Sequence, residues 1–96
     1  MGVSVLIVTL QEAKLYLKVD GDTDDTLILS FINAAEELCE DILRFSLTEL
    51  TLVPDIVKQA ILYAVGNLYE QREALDMKEM LEFMTRLLFA YRREGW

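Results

Sequence analysis

Apolar residues recur at three- and four-residue spacing along four stretches of this chain, and short polar or turn-forming clusters separate them. The clearest stretch begins at Pro54-Asp55. Proline suits a first helical position, where its missing N–H costs nothing, and the adjacent carboxylate favours the positive end of the helix dipole. Ile56, Ala60, Ile61, Ala64, Leu68 and Tyr69 follow on one side, which predicts a helix over 54–74. Its last turn is the polar run Tyr69-Glu70-Gln71-Arg72-Glu73, and Gly66 within it permits close approach of another helix.

The other three stretches are shorter or more acidic. Thr9-Leu10-Gln11-Glu12 is a capping box, so a helix over 10–18 is expected, with Leu10, Ala13, Leu17 and the stem of Lys14 on one side. Ile28, Phe31, Ile32, Ala35, Leu38, Cys39 and Ile42 form the stripe of a helix over 25–44. Glu36, Glu37, Glu40 and Asp41 lie off that stripe, as a solvated face or as one that meets a basic partner or lines an acidic opening. Asp76-Met77-Lys78-Glu79 is a second capping box, and Met80, Leu81, Met84, Leu87, Leu88 and Tyr91 carry a fourth helix through about Arg92.

Two segments lack this period. Residues 3–8 (VSVLIV) read as a strand or an ordered arm. Residues 45–53 break the helical pattern, and Leu50-Thr51-Leu52-Val53 predicts a short β segment, which would pair with 3–8 or with its own copy in a neighbouring subunit. The expected class is therefore all-α: a small bundle of about four helices in a single domain over 1–96, with a short β piece near Leu50 and Val53.

Composition then removes most chemistry. Hydrophobic residues are 53% of the sequence, more than a core of this size readily uses, which favours oligomerisation. The net charge of −8 argues against tight nucleic-acid binding and suits a surface that lets DNA pass without sticking. With no histidine and one cysteine there is neither an internal disulfide nor a usual zinc set, and the common general base is missing. Cys39 reads as a buried structural thiol. Asp20-Gly21-Asp22-Thr23-Asp24-Asp25 resembles a calcium loop only superficially: Asp25 stands where the turn glycine belongs and Phe31 where the bidentate glutamate belongs. Those carboxylates read as helix N-terminal charges instead. The run 3–8 is too short for a membrane span and has no basic flank, so no membrane association, metal, cofactor or enzymatic activity is expected.

Taken in order, several pieces resemble the head-tail connector (adaptor) family of tailed bacteriophages and prophages. They are residues 9–20 (TLQEAKLYLKVD), Asp24-Asp25 leading into Ile32-Asn33-Ala34-Ala35-Glu36, Pro54 through Ala60-Ile61-Leu62, Tyr69-Glu70-Gln71-Arg72-Glu73-Ala74, and Leu87-Leu88-Phe89-Ala90-Tyr91-Arg92. The chain departs from that family's pattern between Leu75 and Leu87, where a well-capped helix replaces a looser segment. The resemblance implies a mostly helical virion protein at the head-tail junction, assembled in the host cytoplasm. It implies a homo-oligomeric ring on the portal protein that extends the DNA channel without sequence-specific binding and docks the next head-completion or tail protein. For that role Tyr69, Arg72, Tyr91, Arg92 and Trp96 are the candidate interface residues, and Glu36, Glu40 and Asp41 the candidate channel-facing acids. Tyr69 and Tyr91 read equally well as rim residues of the core, with hydroxyls at the edge. A different class remains open, a small cytosolic helical regulatory protein acting as a dimer on a protein target.

Overall fold

A computed structural model describes residues 7–47, 53–71 and 76–91. They form four α-helices with no strand among them: α1 Leu10–Leu17, α2 Asp25–Leu43, α3 Asp55–Glu70 and α4 Met77–Leu88, the last continuing as a single 3-10 turn, Phe89–Tyr91. The expected β piece falls mostly on 48–52, and most of the expected arm on 1–6, both outside the described residues. Of their described members, Val53 has no regular structure and Ile7 and Val8 lie in a bend.

Local chemistry sets each boundary. The capping box of α1 forms: the Glu12 amide donates to the Thr9 hydroxyl at 3.1 Å, and the Glu12 carboxylate accepts from the Thr9 amide at 2.9 Å. Lys18 ends the helix in the left-handed region at φ 62, so its own N–H and that of Val19 turn back onto the last carbonyls. Arg44 ends α2 in the same way at φ 68. At α4 the cap is half made, with Asp76 accepting from the Glu79 amide at 3.0 Å.

Two boundary expectations need correction. Pro54 is the N-cap of α3, extended at ψ 147, rather than its first helical residue; its carbonyl opens the ladder by accepting from Val57 and Lys58. The helix also stops at Glu70 instead of reaching Ala74; residues 72–75 lie outside the described set. Nor does Asp24 cap α2 with its side chain, although it holds the N-cap position.

The core is built as the periodicity requires. From α2 come Ile28, Ile32, Ala35, Cys39 and Leu43, from α3 Val57, Ala60, Ile61, Ala64 and Val65, and from α4 Met80, Met84 and Leu88. Ala13 and Leu17 of α1, Val8 and Leu47 close its margins. No polar or charged residue among those described is fully buried, so burial of apolar surface at roughly 25 cal/mol per Å² is the main stabilising term. Helix α2 packs most extensively on α3, and α3 on α4. The short connection 71–76 makes α3 and α4 antiparallel neighbours, with the Tyr63 and Phe83 rings in contact between them, tilted by 42° at a centroid distance of 4.5 Å.

Candidate functional site

Polar clamps hold the short α1 against both long helices. Lys14 pairs with Asp25 at the start of α2 at 2.7 Å, and Lys58 of α3 with Glu12 at 3.2 Å. Across the bundle, the Tyr69 hydroxyl donates to Asp24 at 2.7 Å. That bond engages one oxygen of the Asp24 carboxylate, and it fastens the end of α3 to the loop between α1 and α2. Tyr69 is half-buried, and its hydroxyl is engaged within its own subunit.

The other interface candidates separate in space. Tyr91 is 43% exposed in the 3-10 turn after α4, which the antiparallel α3–α4 pair directs away from Tyr69. Arg72, Arg92 and Trp96 lie outside the described residues.

The acidic row of α2 divides in two. Glu36 and Glu40, one turn apart, fold inward onto backbone amides. One oxygen of Glu36 accepts from Ile7 at 2.6 Å and from Val8 at 3.1 Å, while Glu40 accepts from the Leu47 amide at 2.7 Å and the Ser46 hydroxyl at 3.3 Å. Burial raises the pKa of Glu36 above the ordinary value of 4.5; the two amides oppose this and the Glu40 charge adds to it. These two carboxylates thus tie the segments before α1 and after α2 to the middle of the bundle. Glu37 and Asp41 are exposed, so of the three acidic candidates Asp41 alone is not partly buried.

Cys39 is buried, and its thiol is pushed up to about 12 by burial and by the charges of Glu36 and Glu40, which leaves it without thiolate near neutral pH. Among the described residues no group of three or more His, Cys, Asp or Glu could hold a metal ion, and no helix is long and apolar enough to cross a membrane.

Two apolar surfaces emerge that the helical stripes did not announce. One is an aromatic ridge on α1, α3 and α4. Tyr16 lies over Gly66, its Cε2 only 3.1 Å from where a Cβ would sit, and with Tyr63 it lines a depression of about 210 Å³ closed by Glu70. Phe83 packs at a tilt against Tyr63, and Leu15 beside Tyr16 is 80% exposed. The other is an open groove of about 630 Å³ along α4, floored by Met77, Leu81 and Thr85 and continued by a second hollow of about 330 Å³ reaching Leu38 and Ile42 of α2. Arg44, Lys78 and Arg86 stand on its edges with Asp41 and Glu82. The signal for the ridge lay in residues off the stripes, whereas the groove uses Leu38, Ile42 and Leu81 from the stripes themselves. Leu15 and Tyr16 fall between Ala13 and Leu17, and Phe83 falls between Met80 and Met84.

A family model described as a phage gp6-like head-tail connector protein matches residues 7–93. Nothing matched among curated proteins or among solved structures.

Proposed function

The chain belongs to the phage gp6-like head-tail connector family, and from that premise we propose that it forms a homo-oligomeric ring on the portal protein, extends the DNA channel and docks the next head-completion or tail protein. The coarser role follows from membership alone: it is a structural component of the junction between phage head and tail. The observation that carries the reading is the extent of the match, which takes in all four helices and their caps.

The structure supports the finer role in two ways. A ring needs two different faces on each subunit, because a head-to-tail contact closes by rotation, and this subunit exposes apolar residues on two separate flanks of α4. The net charge of −8, with Glu37 and Asp41 exposed on α2, suits a channel that DNA must slide through. The role requires no catalysis. The whole chain acts as a single helical connector domain, assembled in the host cytoplasm and retained in the virion.

The test is to mix purified protein with portal from the same phage and to image the product. Rings seated on the portal are expected. A stable dimer with no affinity for portal would favour the regulatory-protein reading instead.

A further inference from the structure

Leu81 and Phe83 are two residues apart on α4 and therefore point about 200° away from each other. Leu81 helps floor the groove and Phe83 belongs to the aromatic ridge, so one helix carries a hollow on one flank and a projection on the other. Two apolar surfaces so placed cannot cover each other within one subunit.

Their charges are complementary. Three of the six Lys and Arg among the described residues, Arg44, Lys78 and Arg86, border the groove against two acids, Asp41 and Glu82, so its border is basic on balance. The ridge border is acidic on balance, with one exposed base, Lys18, at the C-cap of α1 two residues from Tyr16. Glu70 lines its depression, and the Tyr69–Asp24 bond brings the loop bearing exposed Asp20 and Asp22 to the same end of α3. We infer that the groove along α4 and α2 of one copy receives the Tyr16–Tyr63–Phe83 ridge of the next copy.

This rests on the ring reading and specifies which two faces meet. The contact is head-to-tail, since groove and ridge are different surfaces, and repeating it makes a ring or a filament according to the rotation between copies. The apolar centre excludes water, while the basic border meets the acidic one and fixes the register.

Charge reversal on exposed positions tests the inference without touching the core. One variant, Lys78→Glu with Arg86→Glu, makes the groove border acidic; another, Asp22→Lys with Glu70→Lys, makes the ridge border basic. Assembly is followed on portal by electron microscopy and without portal by sedimentation, with melting temperature as the folding control. Each variant alone is expected to raise the concentration needed for assembly roughly tenfold or more while its melting temperature stays near that of the wild type. All four substitutions in one chain are expected to restore assembly. Rings formed equally well by both separate variants would overturn the inference and leave the ring reading intact. Loss in both separate variants without restoration in the combined one would also overturn it, because the faces would then meet something other than each other. A wild-type chain that makes no rings with or without portal would bring down both readings together.

Discussion

At the residue scale, α2 carries its most informative groups at positions 36, 39 and 40. Cys39 is expected to stay unmodified by an aromatic disulfide reagent at neutral pH in the native protein and to react within seconds once denaturant is added. Reaction at a comparable rate in the folded state would show that the thiol is neither buried nor held up near 12. Glu36 predicts a slope of stability against pH. Its folded carboxyl titrates above the ordinary 4.5, so between those values the native state binds more protons than the unfolded chain, and stability falls as pH rises. Glu12 acts in the opposite sense. The Thr9 amide and Lys58 hold it below 4.5, so its contribution is present above that value and is lost as pH falls through the lowered one. Urea melts at stepped pH should show Glu36→Gln flattening the decline above 4.5 and Glu12→Gln reducing the loss in acid. An unchanged profile in Glu36→Gln would mean that its carboxylate is solvated.

At the scale of elements, the helices were legible because their caps and stripes are local. Thr9-Leu10-Gln11-Glu12 needs only four residues to specify the start of α1, and the α2 stripe repeats often enough to mark which side is buried. What escaped depends on partners far along the chain. Nothing near position 69 says that its hydroxyl will take the carboxylate of Asp24, 45 residues away, and nothing near 36 says that its side chain will turn inward to collect the amides of Ile7 and Val8. Tyr69→Phe separates the two roles open to that residue. Removing a bond to a charged group should cost about 1.5–3 kcal/mol of stability, toward the lower end at this partly buried site, with assembly unaffected. A variant that keeps its stability but no longer assembles would move Tyr69 to the subunit interface. Gly66 was legible as a place of close approach, and the neighbour proves to be the Tyr16 ring rather than a helix backbone. The ring is 46% exposed and can yield a few tenths of an ångström, so Gly66→Ala should gain most of the roughly 1 kcal/mol difference in helix propensity. A drop in melting temperature would mean that Tyr16 is fixed in place.

At the scale of the whole molecule, the surface divides by both charge and polarity, and only the charge total could be read beforehand. A sequence shows the excess of acids over bases but not that three of the six described cations gather around one groove. That distribution decides how the protein meets DNA. If basic side chains were spread along an exposed face they could neutralise successive phosphates, and affinity would fall steeply with added salt. Here Arg44, Lys78 and Arg86 are interleaved with Asp41 and Glu82, so the field outside the groove is weak. Exposed Glu37 on α2 and the overall excess of acids repel a polyanion. Duplex DNA should therefore remain unshifted in a gel at low ionic strength, where screening is weakest and any attraction would be most visible. The assembled protein should behave in the same way, because a head-to-tail contact that buries the basic border, Asp41 with it, leaves Glu37 of α2 exposed and the net charge negative. Retention of DNA by the assembled form but not by the subunit would show that assembly creates a basic surface. In that case the cations would line the path of the DNA, and the groove would not be where they are spent.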